Sequence, residues 1–99
     1  MTVRLSVRFT LRAAGHVHEA GRWWHANRPK APAALREELA RALQLVTTQP
    51  AAGAVARNVR LAEVRRVNYH LYYRLVEAPS RSIQVVALWH AGRGDAPEL

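Results

Sequence analysis

Five side chains in the C-terminal half, Glu63, Arg66, His70, Arg74 and His90, have types suited to phosphodiester chemistry. RNA cleavage by 2′-hydroxyl attack needs a base beside that hydroxyl, an acid beside the leaving oxygen and a cation beside the phosphate. Histidine or glutamate supplies the first two and arginine the third. His70 and Arg74 stand four apart in an alternating segment, so they share one face of a strand. His90 closes the strand expected beside it. A structural role outweighs the catalytic one for the two histidines, His70 as a polar cross-strand neighbour and His90 as a strand-end hydrogen-bond donor. No firm catalytic set follows from their spacing.

Other chemistries find no support. His16 and His18 lie two apart in a helical pattern, so they diverge by roughly 200° and share no metal ion. His18-Glu19 is not followed by the second histidine of a zinc protease. The absence of cysteine removes disulfides, thiolate zinc sites and cysteine nucleophiles. Gly92-Arg93-Gly94 precedes no helix, no Gly-rich loop ends in Lys-Ser or Lys-Thr, and no nucleophile elbow occurs. Neither metal nor cofactor is expected. Arg93-Gly94-Asp95 spells an adhesion tripeptide, a coincidence in a chain with no secretory features.

The elements that must position these residues read as β-α-α-β-β-β. Odd positions from Val3 to Leu11 are apolar, which predicts a half-buried strand. Its other face carries Arg4, Arg8 and Arg12, which reads as a solvated face that keeps the sheet soluble in preference to a track for phosphates. Ala13, Val17, Ala20 and Trp24 repeat at helical spacing until Asn27-Arg28-Pro29, predicting a helix over about 10–27. A second helix starts near Pro32, carries Leu35, Leu39, Ala42, Leu43 and Val46 on one face, places Glu37 four residues before Arg41, and ends before Gln49-Pro50. Residues 49–56 read as a loop. A bulged strand is expected over 58–66, where Val64 breaks the alternation by one step. Tyr69, Leu71, Tyr73 and Leu75 mark the core face of the next strand, with His70, Tyr72 and Arg74 opposite. After a connection over 77–81, residues 83–90 are apolar on both faces, as in an interior strand, and place Trp89 in the core. The sequence therefore describes one α+β domain over residues 1–99: a helical hairpin on a small, mainly antiparallel four-stranded sheet, with an irregular tail from about 91.

Charge narrows the partner. Fourteen of 15 basic residues are arginine, Lys30 being the exception, against seven acids, for a formal charge of +8 and a pI near 11.5. An anionic partner is expected, nucleic acid or an acidic protein segment. No apolar run approaches the ~20 residues that span a bilayer, and no signal peptide is evident, so cytoplasm is the expected compartment. A chain this short buries only about 60–70% of its unfolded surface, so a partner that covers more would help it.

Three segments carry a resemblance when taken in order. They are Glu63-Val64-Arg65-Arg66, Tyr69-His70-Leu71-Tyr72-Tyr73-Arg74, and Val85-Val86-Ala87-Leu88-Trp89-His90-Ala91-Gly92-Arg93. The first two resemble the Val-Arg-Arg and Tyr-x-Leu-x-Tyr hairpin of the RelE/ParE toxins of bacterial toxin-antitoxin pairs. The third is similar to their closing strand, followed by histidine and arginine. With the first helix and Pro50-x-x-Gly53 the likeness covers nearly the whole chain. It implies a toxin neutralised by a cognate antitoxin. The phrasing, and the lack of the lysines that serve many RelE-like sites, resemble the ParE branch, whose target is DNA gyrase. The RelE branch would instead imply ribosome-dependent mRNA cleavage with His70, Arg74 and His90 as its residues. A plain basic nucleic-acid-binding module would explain the charge but not the toxin-like hairpin. On the ParE reading Arg65, Arg66, Arg74 and Arg93 are the expected target contacts. Trp23, about 100° from Trp24 around the first helix, is half exposed and the expected anchor for the acidic C-terminal segment of the antitoxin.

Overall fold

The computed structural model describes residues 5–50, 54–56, 59–92 and 97. Strand β1 (Ser6–Phe9) leads directly into helix α1 (Leu11–Asn27). Thr10 makes that switch: its N–H completes the pairing by donating to the Val85 carbonyl at 3.0 Å, while its hydroxyl accepts from the Ala13 N–H at 3.1 Å. A residue with extended dihedrals and an accepting side chain is a favoured N-cap. The strand therefore stops two residues before the alternation does. Leu11, expected on the core face, is the first helical residue and 94% exposed, and Phe9 is 39% exposed. Arg12 likewise belongs to α1 and not to the strand face.

Helix α2 (Ala34–Thr48) starts two residues after Pro32. Both helices lie on one face of the sheet. Ala13 and Ala20 of α1 and Leu35, Leu39, Ala42 and Val46 of α2 join Tyr69, Leu71, Tyr73, Ile83, Val85 and Leu88 in one core, with Val17 and Trp24 packed against it. The indole N–H of Trp24 donates to the Ala31 carbonyl at 2.6 Å, tying α1 to the link between the helices. None of the described helices is long and apolar enough to cross a membrane.

Four strands make the body of the sheet: β1, β3 (Val59–Val64), β4 (Tyr69–Val76) and β5 (Ser82–His90). A three-residue strand, β2 (Ala54–Ala56), extends it along β3, inside the stretch read as a loop. The order is β1-β5-β4-β3-β2, with β1 parallel to β5 and the other pairs antiparallel. β5 is thus interior, as its two apolar faces imply.

The bulge is not where the broken alternation put it. β3 pairs with β4 in unbroken register from Arg60↔Tyr73 to Val64↔Tyr69, and the shift lies instead between β4 and β5. Tyr72 pairs with Ala87 but Tyr73 pairs with Val85, leaving Val86 as an extra residue in β5. That residue reverses the facing of all that follows. Ile83 and Val85 lie over the helices, and so do Leu88 and His90, although their parity differs. Trp89 consequently leaves the core for the sheet margin.

Candidate functional site

The extra residue in β5 decides which histidines can meet. His90 pairs with Tyr69 and His70 with Trp89, and Tyr69 and His70 face opposite ways, so His70 and His90 are on opposite sides of the sheet. Arg74 shares the open face with His70 but lies ~13 Å along the strand. Glu63 is the direct neighbour of His70 on β3. The five residues singled out for phosphodiester chemistry are therefore separated: His90 lies on one surface, Glu63, Arg66 and His70 on a second, and Arg74 beyond both on the open face.

The first surface is a groove of about 370 Å³ between α1 and β5, lined by His16, Glu19, Trp23, Tyr69, Trp89 and His90 among others. It exists because β1 covers β5 only from Ser82 to Val85; beyond that point α1 runs alongside. His16 takes over from the strand, its Nδ1 accepting the Leu88 backbone N–H at 3.2 Å. That bond leaves the proton of the neutral ring on Nε2. Trp89 meets the His16 ring edge-on at 5.3 Å, and His90 meets Tyr69 edge-on at 5.1 Å. The His90 Nδ1 accepts from the Gly92 N–H at 3.0 Å. A Cβ on Gly92 would lie 2.8 Å from the same imidazole, so the glycine lets the ring lie where it does. Trp23, 47% exposed, forms the outer wall, with the Arg28 guanidinium 5.8 Å from its ring centre.

His16 is the member of this groove that sequence reasoning missed. Its spacing of four to Ala20 and seven to Trp23 is a helical stripe of its own, and that pattern was the available signal. His16→Phe, which keeps the ring and removes the acceptor, is expected to cost about 1–3 kcal/mol by orphaning the Leu88 N–H. Urea denaturation checks this, and an unchanged midpoint would contradict it.

The second surface surrounds the turn between β3 and β4, where Glu63, Arg65, Arg66, Asn68 and His70 line an open groove of about 390 Å³. Arg66 and Asn68 take left-handed backbone conformations, φ 71° and 62°. Asparagine tolerates that region, whereas arginine pays about 1–2 kcal/mol there. An ion pair accompanies the strain. Glu38 of α2 is only 4% exposed, and one of its oxygens, Oε1, accepts from Arg41 at 2.6 Å and from Arg66 at 3.0 Å. Arg41 thus pairs with Glu38, three residues before it, and not with Glu37. Arg66 bridges sheet and helix while its side chain stays 68% exposed.

The remaining arginines fall into a different grouping from the one expected. Arg8 and Arg74 flank Gln84 in one row of the open face, through the pairs Arg8↔Gln84 and Arg74↔Gln84. A first-strand arginine and a late one therefore belong to the same surface. Arg4 and Arg93 lie outside the described residues.

A helical hairpin on one side of a mixed sheet is an arrangement found in toxin-antitoxin proteins. The chain superposes on a chain of the chromosomal ParDE system of P. aeruginosa with a TM-score of 0.71 at 14% identity, covering 88% of this chain and 96% of that one. It superposes on a chain of the RelBE2 toxin-antitoxin complex of Mycobacterium tuberculosis with a TM-score of 0.61 at 24% identity, covering 89% and 99%. Among curated proteins none matches. The family model for the ParE toxin of the type II toxin-antitoxin system parDE matches residues 7–94, and the chain belongs to that family.

Proposed function

We propose that the protein inhibits DNA gyrase in the cytoplasm and is held inactive in a hetero-oligomer with a cognate antitoxin. The observation that carries this reading is the ParE family match over residues 7–94. The division of the histidines supports it, since His70 and His90 lie on opposite sides of the sheet and cannot act together as acid and base. Arg65 and Arg66 at the β3–β4 turn and Arg74 on the open face are the proposed target contacts, with Arg93 in the segment that follows. The antitoxin, with an acidic C-terminal segment, lies over the groove between α1 and β5 and is anchored at Trp23. Glu19 there stands beside Arg22, and Arg28 lies over the Trp23 ring, so the rim is basic.

The likeness to RelBE2 supports a second reading, ribosome-dependent mRNA cleavage, with Glu63 and His70 sharing one groove and Arg74 and His90 farther off. Expression of the chain alone separates the two. The gyrase reading predicts growth arrest with DNA breaks and intact mRNA. Cleaved mRNA without DNA breaks would overturn it.

A further inference from the structure

The open face of the sheet ends in a cradle of about 220 Å³ that neither surface described above includes. Its floor is Ser6 and Ser82, directly paired across β1 and β5. Arg8 and Gln84, the next outward-facing pair, form one wall, and Ser80 in the connection after β4 forms the rim. Arg74 continues the row on the far side of Gln84.

Every polar side chain here can donate a hydrogen bond, and among the described residues no carboxylate lines the cradle. Glu77, the acid nearest in sequence, is paired with Arg81 at 3.4 Å. None of the six polar residues makes a side-chain hydrogen bond or ion pair within the described protein. A soluble sheet face usually mixes both signs of charge; this end has two arginines, an amide and three hydroxyls, all unengaged. Arginine, serine and glutamine are the side chains that position phosphate groups in nucleic-acid complexes.

We propose that this cradle binds a phosphate group of a nucleic-acid backbone. Arg8 and the serine hydroxyls hold one phosphate, and Arg74, ~10 Å from Arg8 across β5, reaches another. Two arginines spaced along one row suit a polyanion better than a single free ion, and the charge of +8 draws such a chain in. The proposal is independent of whether gyrase is the target.

The test measures binding of a fluorescent DNA oligonucleotide by the full chain, by anisotropy, over a range of salt. Gln84→Glu places a carboxylate between the two arginines with almost no change of shape. It is expected to weaken binding about tenfold. Arg8→Ala is expected to lower the salt slope by about one. Arg36→Ala, an equal charge change on exposed α2, serves as control and should weaken binding less than about twofold. Equal losses in Arg36→Ala and Arg8→Ala, or full binding by Gln84→Glu, would overturn the site. Inorganic phosphate and a polyglutamate peptide are added as competitors. Little displacement by either supports a nucleic-acid backbone. Displacement by free phosphate as effective as by unlabelled oligonucleotide would contradict that source, and displacement by polyglutamate would reassign the face to acidic protein.

Discussion

Replacing both arginines that meet Glu38, as Arg41→Ala with Arg66→Ala, is expected to destabilise the fold by about 2–3 kcal/mol. The cost lies in the carboxylate. Glu38 is 4% exposed, and among the described residues both its hydrogen-bond partners are these guanidiniums. Leaving such a group charged and unpaired is more expensive than losing the attraction itself. The loss falls below that of a deeply buried pair because truncating two largely exposed side chains admits water to the carboxylate. Adding Glu38→Gln to the double variant removes the buried charge and should restore more than half the loss. Urea denaturation of wild type, double and triple variants measures this. A triple variant no more stable than the double would show that the carboxylate is not the source.

Trp23→Ala is expected to weaken binding of the cognate antitoxin by at least about 2 kcal/mol, near thirtyfold, while changing folding stability by less than about 1 kcal/mol. Trp23 is half exposed and walls an aromatic groove, so its ring contributes little to the core and offers a large apolar face to a partner. Titration calorimetry with the antitoxin, beside thermal melting of the free toxin, separates the two effects. Unchanged affinity in a folded variant would remove the groove from the antitoxin interface.

Much of the architecture was legible because it rests on local pattern. The stripe Ala13, Val17, Ala20, Trp24 and the alternation Tyr69, Leu71, Tyr73 report directly on which side chains face the core. Two misplacements have one kind of cause. The alternation through Leu11 continues past the strand because a cap at Thr10 ends it by hydrogen bonding, which apolar spacing does not record. The run Ile83–Leu88 is apolar at every position but Gln84, so nothing in it marks Val86 as the extra residue that moves Trp89 from the core to the sheet margin beside His16 and puts His90 on the helix side.

The sites were less legible, since they depend on residues far apart in the chain. His16 reaches Leu88 across 72 positions, and Arg66 reaches Glu38 across 28. Arg8 and Arg74 share a row only because β1 runs parallel to β5. Residue type singled out Arg66, His70 and His90, but only the sheet register tells which of them share a face.

The most direct test of the account is a reconstituted gyrase reaction. Purified toxin is incubated with gyrase and supercoiled plasmid, and trapped cleavage is revealed by denaturing the enzyme. The account predicts broken plasmid that accumulates with toxin, requires gyrase and disappears when the antitoxin is added. Intact plasmid from a folded toxin, together with cleavage of ribosome-bound mRNA that His90→Ala abolishes, would contradict it.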